Sequence, residues 1–184
     1  AVEVAGQMGL PLVATSDARG VLRLPAATAG SGLVTTADGL GALLPRLWPG
    51  RAMRVTMQPL AAITTATGSE PFSLWARATL PDGEHVTLPA QHGSEVRLPA
   101  GDYEIWVHGP DGWSWRRVQL RAGERSLLPA GGAAQRLVAQ PGAILHPAGR
   151  PELDLTDQGR EVLLRDAALA APLVAWLGPT VTAP

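Results

Sequence analysis

The stretch YEIWVHGPDGWSWRR, Tyr103 to Arg117, places three of the chain's six tryptophans on either side of a Pro-Asp-Gly turn. Asp-Gly suits a hairpin because Asp can bond its own backbone and Gly accepts positive φ at no steric cost. Whether the loop is Pro110-Asp111 alone or all of Gly109 to Gly112, the pairing is the same. His108 faces Trp113, Trp106 faces Trp115 and Glu104 faces Arg117. Side chains alternate between the faces of a strand, so these six residues share one surface. The other surface takes Tyr103, Ile105 and Val107 with Val118 and Leu120, plus Ser114 and Arg116 near the tip, and it is the natural core face. The tryptophan face then lies outside, beside a Glu104–Arg117 cross-strand pair worth about 0.2–1 kcal/mol.

The same grammar recurs along the chain. Asp-to-Gly turns followed by strand-like residues occur in TSDARGVLRLP (Thr15 to Pro25), TTADGLGALLP (Thr35 to Pro45), TLPDGEHVTLP (Thr79 to Pro89), the tryptophan hairpin and LTDQGREVLL (Leu155 to Leu164). Val96 and Leu98 alternate with charge, and VQLRAGERSLL repeats the pattern around Gly123. Leu10 to Thr15, Val21 to Leu24, Arg54 to Gln58, Phe72 to Thr79 and Val86 to Leu88 read as further short strands. With 21 Gly and 17 Pro spread over the whole length, this spacing predicts an all-β fold of tandem small antiparallel sandwiches. One segment differs: REVLLRDAALAAPLVAWLG, Arg160 to Gly178, has an Ala-rich middle that allows a short helix near 160–171, stopped by Pro172. Two strands are the alternative. Thr64 to Pro71 and Pro129 to Ala134 are poor in large apolar residues and read as linkers. They divide the chain into sandwich modules at 1–68 and 69–130 and a third segment, 131–184, too short for a core of its own. That segment is expected to dock on the second module or to borrow a strand from a neighbouring chain.

Apolar residues make up 46% of the 184 residues and charged ones 17%, against about 25% charged in typical soluble domains. The chain can therefore bury a substantial core. Its 15 basic residues, all Arg, offset 16 acidic ones to leave a net charge of −1, and no basic run exceeds Arg116-Arg117. Nucleic-acid binding, which needs a clustered basic face, is disfavoured. Lys, Asn and Cys are absent, which suits a GC-rich bacterial source and excludes disulfides, zinc-thiolate sites and thiol nucleophiles. No apolar run reaches the roughly 18–20 residues of a membrane span. The opening Ala1-Val2-Glu3, in place of Met, suits a processed mature chain.

GLPLVATSDARGVLRLP resembles the bacterial carboxypeptidase regulatory-like domains, prealbumin-type β-sandwiches, through Pro11, Thr15, Asp17, Gly20, Val21, Leu22 and Leu24. VRLPAGDYEIWVHGPDGWSWRRVQLRAGERSLL looks like the same family or related surface-layer repeats, through Leu98, Pro99, Gly101, Tyr103, Val107, Val118, Leu120 and Gly123. The resemblance implies an exported or envelope-displayed β array of prealbumin-like or immunoglobulin-like modules, working as spacers, accessory domains or interaction surfaces and seldom as enzymes. It brings no catalytic residue. The one enzymatic branch of prealbumin-like folds, the hydroxyisourate hydrolases, ends in Tyr-Arg-Gly-Ser, whereas this chain ends Thr-Val-Thr-Ala-Pro.

No catalytic, cofactor or metal site is expected. Ala29-Gly30-Ser31-Gly32 has the wrong spacing for a nucleophile elbow. His85, His92, His108 and His146 form no HExxH and no i, i+4 pair, although His85 and His92 could meet across a hairpin. Glu84, Glu95, Asp102 and Glu104 are best explained as polar halves of alternating strands. The candidate binding residues are those of the outer hairpin face: Trp106, His108, Trp113, Trp115, Glu104 and Arg117. Cover by another part of the same chain and a protein interface are the leading fates of that face, ahead of a glycan platform. Trp48 and Trp75 read as core or intermodule packing, and Trp176 as an anchor for the third segment. The expected function is a non-enzymatic structural or adhesive protein of a bacterial envelope or extracellular assembly, acting on a protein partner or by self-association. The alternative is a carbohydrate-binding accessory module of a secreted enzyme.

Overall fold

The computed structural model describes residues 2–6, 11–14, 16–23, 30–47, 50, 52–65, 70–80, 83–88, 90–128, 134–150, 153–157, 159–165 and 172–177. Each Asp-to-Gly segment closes a turn. Gly20, Gly39, Gly83, Gly112 and Gly159 all have positive φ, and the amides of Gly20, Gly39, Gly83 and Gly159 bond back to carbonyls of Asp17, Thr36, Leu80 and Thr156. These turns cut the chain into short strands that pair mostly antiparallel, and the described residues are all-β without a helix.

An N-terminal sheet runs β2 (Pro11–Ala14), β1 (Val2–Gly6), β3 (Gly30–Thr36), β4 (Leu40–Leu47), β5 (Gln58–Pro59), antiparallel throughout. A three-stranded sheet is ordered β10 (Glu95–Leu98), β6 (Ala61–Thr65), β13 (Arg125–Leu128). The largest sheet runs β14 (Ala134–Val138), β16 (Glu161–Arg165), β12 (Gly112–Leu120), β11 (Gly101–Gly109), β7 (Phe72–Thr79), β8 (His85–Thr87), with β9 (Gln91–Gly93) also on β7. Finally β15 (Ala143–Pro147) and β17 (Leu173–Leu177) form a two-stranded ribbon. The sheets do not follow the expected segment boundaries, since β6 comes from the first segment while β14 and β16 extend the large sheet from the third.

The main core lies between the three-stranded and the large sheet. Leu74, Ala76 and Ala78 of β7 alternate inward with Tyr103, Ile105 and Val107 of β11, and meet Ile63, Val96, Leu98 and Leu128 from the facing sheet. Each fully buried aliphatic side chain contributes roughly 1.5–3 kcal/mol. The paired residues Leu33 and Leu43 of the N-terminal sheet reach the same core. Val34 and Leu44 point the other way, into a small cluster with Leu22, Val55 and Met57.

Three sequence expectations change. Of the strand read over Arg54 to Gln58 only Gln58 lies in one, β5, and residues 54–57 form none. Residues 21–23 form no strand, because the Asp17 carboxylate takes the Val21 amide at 2.9 Å and keeps it out of a ladder; Leu24 lies outside the described residues. In the 160–171 segment, Glu161–Arg165 is strand and not helix: β16 pairs antiparallel with β14 and parallel with β12. Residues 166–171 and Trp48 also lie outside the described residues.

Tyr103 closes the sandwich end. Its hydroxyl donates to the Pro99 carbonyl at 2.9 Å, four residues upstream, the tyrosine-corner arrangement of Greek-key sandwiches. Burial pushes the phenol well above its ordinary pKa, so it stays a donor. Tyr103→Phe keeps the ring and removes one buried bond, and should cost about 1 kcal/mol in a urea titration.

Candidate functional site

The hairpin forms with a two-residue loop and the register read from sequence: His108 opposite Trp113, Trp106 opposite Trp115, Glu104 opposite Arg117. On the far side of β11 the partners are Ser73, Trp75 and Arg77 of β7. The outer face is therefore a stack of transverse rows. One holds Ser73, His108 and Trp113, the next Trp75, Trp106 and Trp115, the third Arg77, Glu104 and Arg117.

The aromatic rows lie inside the protein. Trp106 is 1% exposed and Trp113 2%, in a second core with Leu153, Leu155, Val162 and Leu164 of the C-terminal segment. Leu137, Leu145 and Leu173 pack around it. Trp113 is gripped on several sides: its centroid is 4.9 Å from Trp75 and 4.7 Å from His108, and its indole N–H donates to the Leu155 carbonyl at 3.2 Å. Burial pushes the His108 pKa below its ordinary value, favouring a neutral imidazole beside that ring. At the tip, Arg165 of β16 donates to the Asp111 carbonyl and meets its carboxylate at 3.6 Å. Gly112 is needed there, because its φ is +99° and a Cβ would run into the Leu163 carbonyl. The Trp106 N–H is buried with no acceptor among the described residues.

The charged row differs from the expected Glu104–Arg117 pair. Glu104 pairs instead with Arg77 at 2.8 Å and faces Arg150 at 3.6 Å, while Arg117 lies over the Trp115 ring at 5.6 Å. The reason is burial: Arg150 is 1% exposed, and a buried guanidinium draws the nearest carboxylate. Burial itself raises the Glu104 pKa. The bond and charge of Arg77, the charge of Arg150 and a bond from Trp115 outweigh it and hold the carboxyl below its ordinary value.

Elsewhere the histidines stay apart. His85 and His92 both pair with β7, but opposite Thr79 and Ser73, six residues from each other. Each takes a hydroxyl of that strand, His92 Nδ1 meeting Ser73 Oγ at 2.7 Å and His85 Nδ1 meeting Thr79 Oγ1 at 3.2 Å. No group of three or more metal-ligating side chains occurs among the described residues, and no helix there is long and apolar enough to cross a membrane.

Sequence reading missed two features. Arg150, in HPAGRPE, carries no periodic signal that marks it as buried. Trp176 is not the anchor expected: it is 53% exposed, because alternation turns Leu173 toward the second core and leaves Val174 and Trp176 outside. On their strand partners, Trp176 sits opposite Ile144 and Val174 opposite His146. No family model, curated protein or solved structure matches the chain.

Proposed function

We propose that the chain is a non-enzymatic structural or adhesive protein of an envelope or extracellular assembly, and that it works by self-association through its C-terminal ribbon. The observation that carries this reading is the apolar surface left once the tryptophan face has been covered. Val174 and Trp176 are 43% and 53% exposed, side by side on β17. Among the described residues β17 pairs only with β15, whose own far edge is met by the Leu155 amide on the Leu145 carbonyl at 2.8 Å, so β17 presents the open backbone edge of the kind that recruits another strand. Two copies meeting there about a two-fold axis would pair edges antiparallel and bury both tryptophans. The envelope setting is carried over from the sequence resemblance. A glycan platform at the hairpin finds less support, since Trp106 and Trp113 are covered and Arg117 overlies Trp115.

Light scattering across micromolar to millimolar concentrations should show reversible assembly. Trp176→Ala should weaken it by about 30-fold, the scale of a tryptophan hot spot. A wild-type chain that stays monomeric at roughly 1 mM, a dissociation constant scarcely worth about 4 kcal/mol, would remove the reading.

A further inference from the structure

Two hydrogen bonds fix which backbone groups of the ribbon face outward. One step past the last β15–β17 pair, Pro147 with Leu173, the Ala148 amide donates to the Pro172 carbonyl at 2.8 Å. Pro172 therefore turns its carbonyl toward β15. On the other strand the Leu145 carbonyl accepts the Leu155 amide at 2.8 Å, so Leu145, which stands opposite Ala175, points its carbonyl away from β17. Residues of an antiparallel pair alternate between exchanging bonds with each other and turning outward. Both observations give the same phase. Val174 and Trp176 bond across to His146 and Ile144, and the N–H and C=O groups of Leu173, Ala175 and Leu177 point to the open edge.

That edge fits a second copy of itself. A two-fold axis sets a strand antiparallel to its own counterpart, and outward-pointing residues then have to meet outward-pointing residues. One register uses all three: Leu173 opposite the partner's Leu177, Ala175 opposite the partner's Ala175, and Leu177 opposite the partner's Leu173, each pair exchanging both of its backbone bonds. Sliding the strands either way leaves Leu173 or Leu177 without a partner inside β17. The same register sets Trp176 opposite the partner's Val174. These are the non-hydrogen-bonded positions, where side chains approach most closely, and an aromatic ring against a β-branched residue is a stabilising cross-strand pair. Val174, Ala175 and Trp176 are all exposed, so nothing has to move to admit the second strand.

We infer that β17 joins two copies in this single register, centred on Ala175, as a closed dimer with a four-stranded sheet through its middle. The inference rests on self-association through the ribbon and adds its geometry and its limit. An isologous edge is used up once two copies have met, so assembly through it stops at two. Ala175 faces its own counterpart across the axis, with about 5.5 Å between Cα atoms, the spacing of a hydrogen-bonded pair.

The test follows the mass of the full chain by light scattering, together with three substitutions on β17. The wild-type mass should level off at two chains. Ala175→Glu and Ala175→Arg each oppose like charges across the axis, and each should weaken association at least about tenfold while leaving the monomer's urea midpoint unchanged. An equimolar mixture of the two should recover most of the loss, since opposite charges then face each other. The chain has no cysteine of its own, so Ala175→Cys should cross-link under mild oxidation, its Cα separation lying inside the roughly 4.4–6.8 Å that a disulfide spans. Val174→Cys should not, because Val174 and its counterpart stand on a diagonal of about 7–8 Å. A mass that climbs past two without levelling, a mixture that restores nothing, or cross-linking at Val174 in place of Ala175 would overturn the inference while leaving self-association standing. A wild-type chain that stays monomeric would remove both.

Discussion

Trp113→Ala should destabilise the fold by about 3–5 kcal/mol, the usual cost of emptying a buried aromatic position. Its first effect should be to loosen the C-terminal segment. Trp113 is 2% exposed, with Leu155 and Leu164 in its cluster, and its indole N–H holds the Leu155 carbonyl. Through this ring the third segment is fastened to the face of the large sheet. The main sandwich core lies on the opposite face and keeps its contacts, so the loss should not spread evenly. In hydrogen exchange, amides of β14 and β16 should lose protection before those of β7 and β11. Trp113→Phe retains most of the ring area but strands the Leu155 carbonyl, and should cost about 1–3 kcal/mol. An exposed-tryptophan control, Trp176→Ala, should change monomer stability by about 0.5 kcal/mol or less. A Trp113→Ala chain with unaltered exchange at Val162 and Leu164 would show that the ring does not hold the segment.

The hairpin itself was legible because its information is local. A two-residue Pro-Asp loop followed by Gly sets register, and register assigns every residue from Tyr103 to Leu120 to a face. The inner face then follows, since Tyr103, Ile105 and Val107 all enter the core between the sheets. What covers the outer face was not legible. Trp113 and Leu155 lie 42 residues apart, and nothing local records so distant a contact. The covering segment also disguises itself. Leu153 and Leu155 alternate like a strand, yet the chain turns there, with the Asp154 carboxylate capping the Thr156 amide at 2.7 Å. Strand β6 was hidden for another reason: AAITT has no polar alternation because Ala61, Ala62 and Ile63 are all buried, and such a run cannot be told from a linker flank by period. The Glu104 pairing failed on a buried arginine supplied from outside the hairpin.

That arginine sets the second expectation. Glu104→Gln should cost about 3 kcal/mol at neutral pH, near the lower end for breaking a buried ion pair, because Arg77 keeps 24% side-chain exposure and can rehydrate. Arg150, at 1%, cannot. The substitution preserves shape and removes the carboxylate that both guanidiniums face. Replacing Arg150 as well, in Glu104→Gln/Arg150→Met, removes the buried cation together with the need for its counter-charge. The double variant should therefore lose less than the sum of the two single changes, by at least about 1 kcal/mol. Acid titration supplies an independent check. The folded-state pKa of Glu104 is held below its ordinary value of 4.5. Its contribution is then complete above that value and drains away as pH falls through the folded-state pKa. The stability gap between wild type and Glu104→Gln should hold from neutral pH to about pH 5 and close below it. If the gap were constant down to acid unfolding, the Glu104 carboxylate charge would not be what holds Arg150.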